Sequence, residues 1–325
     1  MKSEVTVVMY HYVRDLKNSR YPNIKGLDIE KFKKQIKFFK ENYNFIRIED
    51  LIEYYKNPVE KELPDKAILL TFDDGYKDHY TYVLPVLLEN NIQGSFYIPT
   101  KCFKDKKVLD VNKIHFILES CIGEERKILK EIEEYLEINK DIRVSLSYNE
   151  YFQKYAVASR FDKKEVIFIK RMLQVVLPED YRENLVDKLF KKYVCSIGDK
   201  IISERAFWEE LYLTPEQIRM MEKLGMHIGF HSHNHVWLDS LSKEEQEFQI
   251  KSSINYFKEI GVNTEKMTIS YPYGGYNKET IKLMEEYKIP LGFTTEVRKI
   301  NLENDSFLEL PRMDTNDFIK NSFIK

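Results

Sequence analysis

No apolar run in this chain approaches the roughly 20 residues that a membrane-spanning helix requires, so no transmembrane segment is expected. Cysteine is scarce. Cys102, Cys121 and Cys195 are scattered and odd in number, which argues against a disulfide scaffold and suits a reducing compartment. The N-terminus carries an acid at Glu4 and lacks the apolar stretch of a secretory signal, so the expected location is the cytoplasm. An excess of positive charge is missing too: 51 Lys and Arg stand against 53 Asp and Glu, with the signs interspersed. That balance leaves no nucleic-acid footprint. Repeats and low-complexity segments are absent. What remains is 325 residues, 43% hydrophobic and 32% charged, the profile of a globular protein with room for one large catalytic domain or two modest ones.

The pattern along the chain is α/β. Val5–Met9 is a short β-branched run. Phe32, Ile36, Phe39 and Tyr43 recur at helical spacing, Phe45–Ile48 reads as a short strand, and Glu49 opens a second short helix. The apolar run Ala67–Leu70 leads into Thr71-Phe72-Asp73-Asp74-Gly75. Tyr80, Val83, Leu84, Leu87 and Leu88 then mark a helix, with a kink expected at Pro85, and Ser95–Ile98 is the next strand. Strand, helix, strand at this length is a βαβ unit and predicts a parallel sheet. From 101 to 207 glycine is scarce, charges alternate, and Ile114, Phe116, Ile117, Ile128, Ile132, Leu136, Leu185, Leu189 and Tyr193 fall at helical spacing. This predicts a helical insertion, acting either as a cover or as a lid. The α/β pattern resumes from 208 to 325. Thr214, Pro215 and Gln217 spell a capped helix start. His227–Phe230, Met267–Tyr271, Leu291–Thr294 and Leu308–Leu310 read as strands, and Asn277 as a helix cap.

Chemistry concentrates at two places. A buried strand that delivers Asp73 and Asp74 to its carboxyl end puts them where open α/β sheets keep their ligands. Burying two neighbouring carboxylates without partners costs several kcal/mol, so a cation or another strong partner is implied. Downstream stands His231-Ser232-His233-Asn234-His235. Residues four apart share a face both in a helix and in an extended strand, so His231 and His235 can meet at one atom; His233 joins them only in an extended segment. Two imidazoles and one carboxylate with an open position form the ligand set of a catalytic zinc site. One Asp then binds the cation. The other is free as general base toward water whose pKa the metal lowers from 15.7 to roughly 7. A third element, Ser270-Tyr271-Pro272-Tyr273-Gly274-Gly275, ends a strand in a tight turn able to aim a backbone N–H at a developing oxyanion.

Thr71-Phe72-Asp73-Asp74-Gly75, His231-Ser232-x-x-His235 and Tyr271-Pro272-Tyr273 resemble, in order, the first three motifs of the polysaccharide deacetylase family (the NodB-homology, carbohydrate esterase 4 group). The resemblance covers residues 1–100 and 208–315 and leaves out the helical insertion. It implies a distorted (β/α) barrel of about seven strands and hydrolysis of an N-acetyl group on an amino sugar. It also implies metal ligation by Asp74, His231 and His235, with Asp73 as base and the Tyr273 N–H in the oxyanion hole. Two positions depart from the family pattern. Its third motif usually begins with Arg, where this chain has Ser270. Its late Leu-x-His has no counterpart in Leu291–Glu296. Both departures resemble the poly-N-acetylglucosamine deacetylase-like subgroup, in which an N-terminal Tyr-His supplies the acid. Tyr10-His11 matches that pattern, and His11 ends a strand where barrel strands place residues at one mouth. Arg312 is the candidate to replace the missing Arg. Tyr76, Tyr273, Tyr276 and Trp237 flank the motifs as candidate sugar-stacking or core aromatics.

The resulting expectation is a metal-dependent carbohydrate de-N-acetylase acting on an amino-sugar glycan or an activated sugar precursor. Zinc is favoured by the ligand set, with Co, Ni, Mn and Fe fitting similar sites. A hydrolase of another C–N bond, of deformylase or cyclic-ureide type, uses the same machinery. A non-catalytic glycan-binding protein on this fold is the third alternative.

Overall fold

The computed structural model describes residues 4–140, 143–144, 146–158, 162–197 and 200–319. The chain forms two compact units. One takes residues 1–17, 26–106 and 209–325; the other takes 18–25 and 107–208.

The first unit is built on a nine-stranded sheet whose seven-strand path curls into a distorted barrel. Its order is Gly292–Phe293, Ile269–Ser270, His227–Phe230, Gly94–Ile98, Ala67–Asp73, Glu4–Tyr10 and Ile300–Asn301. Asn44–Phe45 pairs with Ala67–Asp73, and Met313–Asp314 pairs with Glu4–Tyr10. All pairings are parallel except Ile300–Asn301 against Glu4–Tyr10. Every residue of Ala67–Asp73 is buried, as befits a central parallel strand covered on both faces. Register aligns Tyr10 with Phe72, Asp73 with Tyr97, and Ile98 with Phe230. The carboxyl ends of these strands therefore open at one mouth. The segment 310–314 links strands at opposite sides of the strand order: Leu310 bridges Phe293 on the first strand, while Met313 pairs with Val8 on the last but one. Arg312 lies between those two contacts.

Local signals set the helices. Asp28 accepts the Glu30 N–H at 3.0 Å and starts the helix Ile29–Asn42, whose buried face carries Phe32, Ile36 and Phe39. Thr214 and Gln217 form a reciprocal capping box on Pro215–Lys223, and Asn277 caps Lys278–Glu286. Around Pro85 the chain takes a π-turn over His79–Val83, and Pro85 falls in the first turn of the helix Leu84–Glu89. There its missing N–H has no helical partner to lose. Two-residue strands at Ile300–Asn301 and Met313–Asp314 have no periodicity to announce them.

The second unit is mainly helical, with Asp110–Ser120, Glu125–Ile138, Tyr148–Tyr155, Lys164–Arg171 and Glu179–Phe190 among its elements. Ile114, Ile117, Ile128, Ile132, Leu136, Leu185 and Leu189 are buried. Residues 18–25 belong here because Tyr21 packs edge-on against Phe116 and Phe207. Buried Lys113 is neutralised by Asp187 at 2.5 Å and Glu204 at 2.9 Å. No helix among the described residues is long and apolar enough to cross a membrane.

Candidate active site

Asp73 is the last residue of its strand, and Asp74 and Gly75 follow with φ of 74° and 67°. The left-handed pair turns the chain sharply. Glycine suits position 75 because φ is 67°, strained for any other residue, and a Cβ there would also crowd the Ile98 and Phe103 side chains at 3.0 Å. The two carboxylates consequently face different partners.

Asp73 faces Arg312. The guanidinium donates from Nη1 to Asp73 Oδ1 at 3.0 Å and from Nη2 to Oδ2 at 2.8 Å, a two-point pair with Arg312 0% and Asp73 1% exposed. Nη1 also donates to Thr71 Oγ1 (3.2 Å), Nη2 to Ser270 Oγ (2.8 Å) and Nε to the Thr294 carbonyl (2.9 Å). All five N–H groups of the guanidinium are thereby used, the condition for burying this cation. Ser270 Oγ in turn donates to Asp73 Oδ2 at 3.2 Å. Burial alone would raise the Asp73 carboxyl. The Arg312 charge, with His231, the Arg312 hydrogen bonds and His11, outweighs it and holds Asp73 below the usual carboxylate range.

Asp74 faces the histidines. His235 Nε2 is 3.3 Å and His231 Nε2 3.7 Å from Asp74 Oδ1. Tyr76 donates its hydroxyl to the other oxygen, Oδ2, at 2.5 Å. Asp74 Oδ1 is buried and has no hydrogen-bond partner. Burial opposes ionisation of Asp74, and His235, His11 and His231 together keep its carboxyl well below the ordinary value. Burial pushes His231 down to about 4, so its imidazole is neutral at pH 7. Its Nδ1 is paired with the Ser270 carbonyl at 2.7 Å; a carbonyl only accepts, so the proton sits on Nδ1 and the Nε2 lone pair points at the Asp74 side. Asp74, His231 and His235 form the one group of potential metal ligands found among the described residues, their donor atoms all within 4.8 Å of one another. A carboxylate oxygen stripped of water and flanked by two imidazole nitrogens fits a divalent cation.

The histidines meet by a route the spacing did not indicate. The segment is neither helical nor extended: Ser232 and His235 have φ of 54° and 55°. His233 turns away, its Nδ1 2.7 Å from Thr100 Oγ1 and its ring against Phe248. His11 directly follows the strand Glu4–Tyr10, is half-buried, and lies near enough to bear electrostatically on both Asp73 and Asp74. Its carbonyl is 2.8 Å from His79 Nε2. Tyr273 follows Pro272 in a tight turn with φ of 57°. Its ring lies against His235 (centroids 4.8 Å apart) and stacks on Trp237 at the same separation.

Among the flanking aromatics, Tyr76 is fully buried between Tyr12 and Tyr212. It is a partner of Asp74 rather than a platform for sugar. Trp237, Tyr273 and Tyr276 are half-exposed. The hydroxyls of Thr71 and Ser270 belong to the site and had no distinct signal beyond their positions inside the motifs, while the Tyr76 phenol joins it from the flank of the first motif.

The polysaccharide deacetylase family model matches residues 60–135 and 183–292, more than half of the chain. That match includes Asp73, Asp74, His231, His235 and Tyr273, and leaves His11 and Arg312 outside. YxkH of Bacillus subtilis (strain 168), provisionally named a polysaccharide deacetylase, is 28% identical over 129 residues. The match spans 39% of this chain and 46% of that relative, so about half of its length. Among solved structures, the Streptococcus pyogenes deacetylase PplD in complex with acetate superposes with a TM-score of 0.56 at 17% identity, covering 97% of this chain and 93% of PplD. IcaB from Ammonifex degensii gives 0.55 at 17%, with 96% and 92% covered. A de-N-acetylase from Aggregatibacter actinomycetemcomitans gives 0.55 at 14%, with 95% and 94% covered. These likenesses share the barrel architecture described above. On the family match, the chain belongs to the polysaccharide deacetylase family.

Proposed function

We propose that this chain is a metal-dependent carbohydrate de-N-acetylase, releasing acetate and a free amine from an N-acetylated amino sugar. The observation that carries the reading is the division between the two carboxylates. Asp74 Oδ1 is buried and unpartnered between two imidazoles. Its neighbour Asp73 is held ionised by Arg312.

Asp74, His231 and His235 would hold a divalent cation, zinc by the balance of imidazole and carboxylate ligands. Such a cation supplies Lewis acidity and makes hydroxide available near neutral pH. The remaining chemistry belongs to the chain. Asp73 Oδ2 already accepts from Arg312 and Ser270, whereas Oδ1 accepts from Arg312 alone. A carboxylate oxygen offers two acceptor sites, so Oδ1 is the atom that takes the proton from the attacking water. Arg312 fixes the orientation of that carboxylate and keeps it ionised. The water oxygen adds to the acetamide carbon, and the Tyr273 N–H donates to the resulting oxyanion. His11 passes a proton to the nitrogen as the C–N bond breaks, leaving acetate and the free amine.

Two measurements address the roles separately. The wild-type chain should bind one equivalent of zinc after reconstitution, and His235→Ala should bind far less; a stoichiometric metal in that variant would refute the ligand set. His11→Ala should lower kcat by about 100-fold or more, the range of general acid catalysis, with unchanged metal content. A kcat near wild type would move the acid role to another residue.

A further inference from the structure

His233 stands between two proposed ligands, yet its side chain faces Thr100 and Phe248. The segment around it is unusual in its backbone. Ser232 and His235 are both left-handed, a conformation that costs non-glycine residues on the order of 1–3 kcal/mol and persists only where the surroundings dictate it. The surroundings here are specific. Gln249 reaches from the helix Lys243–Glu259, and its Oε1 accepts the N–H of His233 at 3.1 Å and of Asn234 at 2.7 Å. Both partners are donors, so the carboxamide oxygen, not the nitrogen, must face them. Gln249 is buried. The His233 carbonyl accepts the Lys101 N–H at 2.8 Å, and the His235 N–H donates to Ser232 Oγ at 3.0 Å. Between the imidazoles, His233 is held at both backbone and side chain, Asn234 by its backbone N–H and Ser232 by its hydroxyl.

We propose that Gln249 is a positioning residue for the metal site: by gripping two consecutive N–H groups it imposes the turn that brings His231 and His235 to the same carboxylate oxygen. Thr100 adds a second hold, anchoring the His233 ring. The inference rests on the reading that Asp74, His231 and His235 bind a cation. It explains why a third histidine occurs in the motif without serving as a ligand.

The test is the zinc dissociation constant, measured by competition with a chromophoric chelator on the full chain, together with thermal midpoints. Gln249→Leu removes the acceptor at similar size and should weaken zinc binding about 10–100-fold, the usual effect of losing a group that orients a ligand. Gln249→Glu keeps an oxygen acceptor and should bring affinity back toward wild type. Gln246→Leu is the structural control. Gln246 lies on the same helix but bonds the Leu241 carbonyl and Thr280, so that variant should lose stability and keep its zinc affinity. Unchanged affinity in Gln249→Leu, or a loss no greater than in Gln246→Leu, overturns the proposal. If Gln249→Leu does not fold, Thr100→Val carries the test: weaker zinc binding in a folded protein supports the clamp, and wild-type affinity contradicts it. Absence of zinc binding by the wild-type chain would defeat the metal reading itself, an outcome distinct from the others.

Discussion

Asp73→Asn is expected to lower kcat by about 100- to 10,000-fold, the range that a positioned general base contributes, while zinc content stays near one equivalent. The substitution is nearly isosteric. The amide oxygen still accepts one N–H from Arg312, and Thr71, Ser270 and Thr294 still satisfy others. The carboxamide cannot take a proton from water. Because Asp74, not Asp73, faces the histidines, the metal ligands are untouched. The informative pattern is the combination: turnover lost, metal kept. A variant that retained most of its activity would place the base elsewhere, and one that lost its metal would mean the two carboxylates share the cation.

Arg312→Leu should be the most destabilising single change at the site. It leaves Asp73 buried without its partner, which costs about 3–5 kcal/mol when one member of a buried pair is removed. The pH dependence follows from the direction of the Asp73 shift. In the wild-type fold Asp73 is held below its ordinary value. The pair therefore contributes its stability above the ordinary carboxylate pKa of about 4, and that contribution is lost as pH falls through the depressed value. In the variant, burial is no longer opposed by the guanidinium, and Asp73 moves upward. Its penalty is then absent in acid and grows as pH rises through the raised value. The difference in unfolding free energy between wild type and variant should accordingly be largest near neutral pH and shrink toward pH 4, as read by urea denaturation at several pH values. A difference independent of pH would assign the cost to lost packing alone. Adding Asp73→Asn to Arg312→Leu should recover part of the stability, because the uncompensated charge is gone.

Much of this arrangement was legible in the chain because it is built from strand ends. The run Ala67–Leu70 announced a fully buried strand, and its next residues had to emerge at the mouth of the barrel. His227–Phe230 did the same for His231. Helix caps at Thr214 and Asn277 were readable because capping is local chemistry between residues two or three apart. The two-residue strands Ile300–Asn301 and Met313–Asp314 and the reach of the second unit into residues 18–25 were not, since pairing over so short a span leaves no period. The path between His231 and His235 escaped for another reason. Spacing arguments assume helix or strand, and the chain adopts neither; its contacts are with Gln249, 15 residues from Asn234, and Thr100, 133 residues from His233, and no local pattern announces them. Arg312 entered only as a candidate for the place of a missing arginine. Its actual situation depends on the segment 310–314 reaching both Phe293 and Val8, a tertiary fact with no local signature. Tyr76 is similar: core packing is the ordinary reading of an aromatic beside a motif and the residue is indeed buried, but nothing local signals that its hydroxyl bonds Asp74.

Asp74, His231 and His235, as the proposed cation ligands, together with Asp73 would hydrolyse an N-acetyl group. That reaction is tested most directly by acetate release from a panel of N-acetylated sugars, oligosaccharides and sugar nucleotides, with chelated and zinc-reconstituted protein side by side. Acetate is expected from at least one member, dependent on restored zinc and absent in Asp73→Asn. No acetate from any member, by a chain shown to carry one zinc, would contradict it and point to another C–N bond or to binding without turnover.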